Sequence, residues 1–364
     1  MAQTCRRRQG RPQIASLKDV ARLAEVDPST ASRVLRSDPA QHVRPETRRR
    51  ILAAARHLDY RPNALARSLR TRRTGTIGLV IPSLDNVGFA EVTHGIQRAA
   101  AEAGLLLLVV EGEALPSDGS GRSDLVYGRL VGDGLVDGLI VAFATLQDHH
   151  LARLADRGIP LVLVNRRTSG ISGSVVVDDL TGSRAAVEHL TRLGHTRIGY
   201  LGLAADTDTA ERRRAGYLEG LGLAAGGPLP AIEESAPPTV DGGHEAIGRL
   251  LDGSDDPPTA IFVASLMSAL GVRAGLVERG LRIPADVSVI AFNDHPIAEH
   301  LAPPLTTVRM PNLEMGEEAV HMLVAAIDGL PVGDVMIDLP PRVIVRASTA
   351  PLAPSLREPA GALA

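Results

Sequence analysis

The chain has 364 residues, a net charge of −3, 44% hydrophobic and 22% charged residues, one cysteine and no tryptophan, which excludes a disulfide framework and any zinc site built on several cysteines. Its length exceeds one compact core and suits a small domain beside a larger two-lobed one, and no apolar run reaches the roughly 18 residues that a membrane span needs. The near-neutral total conceals a division: of 39 Lys+Arg and 42 Asp+Glu, 18 and 6 fall in residues 1–73, so the rest of the chain holds 21 and 36. A cationic head on an anionic body is the footprint of a nucleic-acid-binding module joined to a globular core, because phosphate contacts supply most non-specific DNA affinity.

Residues 1–14 read as a basic, disordered tail carrying Cys5, with no apolar stretch of the kind that marks a secretory signal, so a bacterial-type cytoplasm is expected. Ser16-Leu17-Lys18-Asp19 then has the form of a capping box, and Leu17, Val20, Ala21 and Ala24 fall on one helical face, predicting a first helix that ends near Glu25. After a turn of about three residues, Asp27 as N-cap and Pro28 as first helical residue open a second helix, which is helix-turn-helix spacing. Ala31, Val34 and Leu35 face inward there, leaving Ser29, Thr30, Ser32 and Arg33 outside. Short polar side chains and one arginine near a helix start suit a major groove, where arginine grips guanine with two hydrogen bonds. Past a loop over residues 36–44, Pro45-Glu46-Thr47 opens a third helix whose Ile51, Ala54 and Leu58 close a small core and whose Arg48, Arg49 and Arg50 stay outside. Pro62-Asn63 starts a last segment of only about two helical turns, too short to be stable until something packs on it.

The runs from Ser16 to Ala21, Ser32 to Leu35, Glu46 to Leu52 and Tyr60 to Leu69 resemble the headpiece and hinge helix of the lactose-repressor (LacI/GalR) class of bacterial transcription regulators, and the similarity continues to Thr349. The resemblance implies DNA contacts from Ser16, Leu17, Lys18, Pro28, Ser29, Thr30, Ser32, Arg33, Arg36, His42, Tyr60, Asn63 and Ala66. It implies too that Leu69 wedges into the minor groove at the centre of a pseudo-palindromic operator bound by a homodimer, unstacking a base step. Arg44 stands where the family usually caps the third helix with serine, at a cost in stability.

Beyond a linker at residues 71–75, apolar strand candidates (Ile77–Ile81, Leu105–Val110, Leu139–Phe143, Leu161–Val164, Ile198–Leu201, Ala260–Val263, Val287–Phe292) alternate with helical stretches (Phe89–Ala103, Gly182–Leu193, Ala210–Leu221, Glu245–Leu251, Ala269–Arg279). Continuous apolar strands between helices indicate parallel sheets covered on both faces. The fold class is therefore α/β, an all-α headpiece followed by two Rossmann-like lobes with a cleft where strand C-terminal ends collect ligands. The resemblance makes that core periplasmic-binding-protein-like, with crossovers that include residues 303–308. It assigns residues 15–70 to the DNA-binding domain and hinge, 76–349 to the effector-binding and dimerisation core, and 350–364 to a disordered tail.

Nothing in the pattern supplies catalysis or a cofactor. Gly220-Leu221-Gly222 ends a helix where a dinucleotide fingerprint would follow a strand. Asp148-His149-His150 reads as a solvated helix start and not as a metal site. The resemblance instead implies a small-molecule effector, a sugar or related metabolite, held by Phe89, Asn165, Arg213, Ser265 and Asp294, with Arg212 and Arg214 on a wet helix face. Leu266 stands where sugar-binding relatives often carry aspartate, and with few aromatics to stack on, an ordinary pyranose is less strongly implied than the family resemblance alone would make it. A DNA-binding regulator, with no enzymatic activity and no membrane partner, is the function expected for this chain on the bacterial nucleoid.

Overall fold

The computed structural model describes residues 15–35, 43–60, 73–112, 127–144, 146, 148–253 and 256–352. The chain divides into two units, residues 1–74 and 75–364.

In the first unit, α1 (Leu17–Leu23), α2 (Pro28–Leu35) and α3 (Pro45–His57) pack around Val20, Ala21, Ala24, Ala31, Val34, Ile51, Ala54 and Ala55. The capping box closes as its sequence predicts: Asp19 N–H donates to Ser16 Oγ at 3.4 Å, and Ser16 N–H donates to Asp19 Oδ2 at 2.9 Å. Helix α1 stops two residues short of Glu25, which sits at φ 50 in the tight turn before α2. Arg44 precedes α3 with no side-chain cap hydrogen bond, as its substitution for serine implies.

The second unit contains two six-stranded sheets. The first is built from β1 (Thr76–Ile81), β2 (Leu106–Glu111), β3 (Leu139–Val141), β4 (Leu161–Val164), β5 (Ser174–Val176) and β11 (Val335–Met336), in the order β11-β5-β4-β3-β1-β2. The second is built from β6 (Ile198–Gly202), β7 (Ile232–Ser235), β8 (Ala260–Val263), β9 (Ser288–Phe292), β10 (Thr306–Arg309) and β12 (Arg342–Ile344), in the order β12-β10-β9-β8-β6-β7. All pairings are parallel except β10 with β12. The helices are α4 (Ala90–Glu102), α5 (His149–Asp156), α6 (Asp179–Arg192), α7 (Asp208–Gly222), α8 (Val240–Asp252), α9 (Leu266–Glu278) and α10 (Asn312–Ile327). The chain passes between lobes after β5, after β10 and after β11, because α10 and β11 return to the first sheet while α6 and β12 belong with the second.

Several boundaries differ from the sequence reading. Of residues 303–308, read as part of a crossover, 306–308 lie in strand β10 and the passage between lobes follows that strand, while α10 is a long helix the pattern did not announce. The C-terminal tail does not begin at residue 350: Ala350 N–H donates to Ser288 Oγ at 3.1 Å and Leu352 N–H to the Leu193 carbonyl at 2.8 Å, tying this stretch to the second lobe. Asp148 caps α5 by accepting from His150 and Leu151 N–H, so the two histidines do begin a helix.

Three helix pairs, α6 with α7, α8 with α9 and α4 with α10, cross at glycines. At Gly271 an added Cβ would run into the Val240 carbonyl, backbone that cannot step aside. Gly271→Ala is therefore expected to destabilise the second lobe by about 1–3 kcal/mol, lowering its melting temperature by roughly 2–4 °C per kcal/mol. Gly226→Ala, with open space around it, is the control that should leave calorimetric melting unchanged.

Candidate functional site

On the first unit, α2 presents the face foreseen from sequence. Pro28, Ser29 and Arg33 are exposed and Thr30 and Ser32 half-buried, above the buried Ala31 and Val34. Asp27 accepts from Ser29 N–H at 2.7 Å, and hydrogen bonding to Ser29, helped by Arg33, holds its carboxyl below the usual range. Arg33 Nη2 rests on Ser29 Oγ at 3.3 Å, one turn away on the same face, an exposed contact that a base edge can replace. Ser16 and Lys18 are exposed at the start of α1, with Leu17 and Tyr60 half-buried. Arg36, His42, Asn63, Ala66 and Leu69 lie outside the described residues.

On the second unit, the C-terminal ends of both sheets open onto a cavity of about 230 Å³. Phe89, Asn165, Arg213 and Ser265 all line it, with Asn86, Arg166, Asn293 and Asn312 among their neighbours. Asn165 and Asn293 end β4 and β9 with φ of 63 and 70, a backbone region asparagine tolerates better than most residues, so that both strands turn sharply at the cavity wall. Phe89 lies on a short 3-10 turn and is buried into the first lobe's core. Ser265 caps α9, accepting from Ser268 N–H at 3.5 Å, and Leu266 behind it is 1% exposed in the apolar core of the second lobe.

Arg213 is not a free hand. Its Nε donates to Asp179 Oδ1 at 2.7 Å, its Nη1 donates to the Ala264 carbonyl at 2.6 Å, and its guanidinium lies 3.9 Å over the Phe292 ring. Arg212, expected on a wet face, is a correction: its side chain is only 14% exposed. It donates to Asp179 Oδ2 at 2.5 Å, to Asp208, and to the Val177 and Asn165 carbonyls. Adjacent residues on a helix point about 100° apart, and here both directions meet protein because α7 lies over the interlobe crossing. Arg214 alone stays out, 56% exposed and paired with Glu233.

Asp294 is the second correction. It does not line the cavity; it is turned into β10 and the C-terminal segment, accepting from Thr307 Oγ1 at 2.6 Å and pairing with Arg309 at 2.5 Å and Arg346 at 2.9 Å. Asn293, one residue earlier, takes the place at the cavity.

Arg166 went unmarked by sequence reasoning, although a cation two residues past the end of the apolar strand Leu161–Val164 is a signal at a strand C-terminal end. Its Nη1 reaches the Ala144 carbonyl at 3.4 Å, its buried Nε has no hydrogen-bond partner, and burial, reinforced by nearby Arg213, pushes its pKa down to about 10.

Comparison with known proteins agrees with this architecture. The profile of bacterial regulatory proteins of the lacI family matches residues 16–63, and that of a periplasmic binding protein-like domain matches residues 187–349. An uncharacterised HTH-type transcriptional regulator in the aml 5' region of Streptomyces limosus is 37% identical, over 95% of this chain and 98% of that one. The chain belongs to the LacI family. Catabolite control protein A of Priestia megaterium is 31% identical over 92% of this chain and 99% of its own. Among solved structures, the Lac repressor dimer bound to operator and the anti-inducer ONPF superposes with a TM-score of 0.79 at 27% identity, covering 93% of this chain and all of that one. Among the described residues, no helix is long and apolar enough to cross a membrane.

Two predictions follow from the buried charges. Asp179 is fully buried between Arg212 and Arg213, so Asp179→Ala leaves two guanidiniums short of a counter-charge. Urea unfolding should show a loss of about 3–5 kcal/mol, with Asp179→Asn intermediate. For Asp294, burial raises the carboxyl pKa, but hydrogen bonds from Arg346, Thr307 and Arg309 outweigh it and leave the folded value below the ordinary 3.8. A depressed folded pKa contributes stability that is complete above the unfolded value and is lost as pH falls through the folded one. Stability should therefore fall below pH 4 more steeply in the wild type than in Asp294→Asn; parallel acid-unfolding curves would contradict this.

Proposed function

We propose that this LacI-family protein is a homodimeric transcriptional repressor that binds a pseudo-palindromic DNA operator and is controlled by a small metabolite in the interlobe cleft. The observation that carries the reading is the presence in one chain of two features: a helix face with exposed Ser29 and Arg33 and half-buried Thr30 and Ser32 in a strongly basic unit, and a polar cavity at the strand ends of a two-sheet core. The Lac repressor relative, solved as a dimer on its operator with an anti-inducer, supports the same pairing of partners. Arg33 reads base edges, Ser16, Leu17, Lys18, Pro28, Arg36, His42, Tyr60, Asn63 and Ala66 position the headpiece, and Leu69 wedges the operator centre. The headpiece and hinge occupy residues 15–70, and the effector core runs from residue 76 through the tethered stretch that ends at Leu352.

Phe89, Asn165, Arg213 and Ser265 hold the effector, joined by Arg166 and Asn293. The 230 Å³ cavity falls below the roughly 300–1,000 Å³ of drug-sized sites, which favours a monosaccharide-sized metabolite. The protein acts by binding alone, in the bacterial cytoplasm, and effector and operator affinities are reciprocally linked whatever route couples them.

Arg33→Ala is expected to cost about 1–3 kcal/mol on the cognate operator and much less on random DNA. Wild-type binding should weaken steeply with salt. Fluorescence anisotropy with both DNAs across a salt series checks the two together; an equal loss on both sequences would demote Arg33 to a phosphate contact.

A further inference from the structure

The charges lining the cleft are unevenly matched. Asp179 is shared by Arg212 and Arg213, and Asp208 is taken by Arg212 and by the Arg167 N–H. Arg166 makes no ion pair among the described residues, and its buried Nε has no acceptor. It faces the same cavity as Arg213, and loss of solvent, with a smaller contribution from Arg213, depresses its affinity for a proton despite the nearby Asp206, Asp179 and Asp208. Among the described lining residues the one carboxylate is Asp206, an exposed residue at the rim. The remaining polar lining is amide and hydroxyl: Asn86, Asn165, Asn293, Asn312, Thr207 and Thr209.

A half-buried guanidinium whose buried Nε donor is left unmatched is costly in the ligand-free protein. An oxyanion between it and Arg213 removes that cost and gains charge-assisted hydrogen bonds, which are about twice as strong as neutral ones. A neutral polyol could use the amides but would leave the Arg166 guanidinium without an ion-pair partner of its own. Leu266 at the start of α9 removes a carboxylate that would otherwise repel an anion from this side.

We infer that the effector carries an oxyanion, a phosphate ester or a carboxylate, seated between Arg166 and Arg213, and that Arg166 is the residue selecting for it. This inference rests on the cleft being the effector site.

The test uses the full-length protein in buffer free of phosphate and sulfate. Inorganic phosphate, glucose 6-phosphate against glucose, and galacturonate against galactose are titrated by thermal shift and calorimetry, with sodium chloride matching ionic strength. Inorganic phosphate is expected to stabilise the wild type, and the charged member of each pair to bind more tightly than the neutral one. The glucose pair and the galacturonate pair distinguish phosphate from carboxylate. Arg166→Gln should lower anion affinity about 10- to 100-fold while raising the melting temperature of the ligand-free protein, because it removes an uncompensated charge; Arg166→Lys should keep the preference for anions. Anion binding that Arg166→Gln leaves unchanged, neutral sugars binding as tightly as their charged partners, or no response to any anion would overturn the proposal. Ala204→Trp, which fills the cavity mouth from an exposed position without touching its charges, separates the two failures. If it blocks a neutral sugar, the cleft remains the effector site and only the charge assignment falls; if it blocks nothing that binds, the cleft reading falls as well.

Discussion

The buried carboxylate of Asp179 is the point on which the core depends. It lies at the start of α6, directly after the chain's first passage between lobes, with no exposure to solvent. An isolated charge there would cost several kcal/mol, so its position forces counter-charges to converge, and α7 supplies two from consecutive residues. Arg213 reaches it from the cavity side, and Arg212 reaches it while also holding the Val177 and Asn165 carbonyls. One carboxylate thereby organises the interlobe crossing, the end of β4 and the first turns of α7.

That network also spans the lobes. Thr209 Oγ1, on α7 of the second lobe, donates to the Asn165 carbonyl of the first at 2.6 Å. Asn165 is the residue whose left-handed backbone turns β4 into the cavity wall. Arg213, Asp179, Arg212 and Thr209 thus form one connected set of hydrogen bonds from the cavity wall to the first lobe's rim. Packed lobes joined by discrete hydrogen bonds have few intermediate arrangements, which is the condition for a small displacement at a ligand to become a change of state.

The parts of this structure legible in the sequence are those whose causes are local. The capping box at Ser16, the Asp27-Pro28 start and the missing cap at Arg44 are each settled within four residues, and each takes the form its residues dictate. Central strands such as Ala260–Val263 are equally readable, since burial on both faces writes an unbroken apolar run. The edge strand Ile232–Ser235 carries two glutamates and solvent on its flank, so no such run exists. Helix Asn312–Ile327 begins at Pro311 with no side-chain cap and holds Gly316 where a larger residue would strike the Val92 carbonyl, so its own packing erased the signals that mark a helix. The charged residues were least legible of all. Whether Arg212, Asp294 or Arg166 faces water, a carboxylate or a ligand is decided by partners far away in sequence.

The scarcity of aromatic residues has a structural consequence that composition alone could not reveal. Of four tyrosines and four phenylalanines in the chain, Tyr217, Tyr200, Phe262 and Phe292 form a series, the first pair stacked and the next two tilted, with ring centroids 4.7, 5.4 and 6.3 Å apart, and Arg213 lies over the last of them. Half of the aromatic supply therefore backs an arginine, fixing its plane by cation–π contact from below while Asp179 fixes it from the side. Only Phe89 and Phe143 remain to line the cavity. A cavity so poor in ring faces offers little stacking surface, and what its wall presents instead is guanidinium, amide and hydroxyl groups, donors with directional hydrogen bonds.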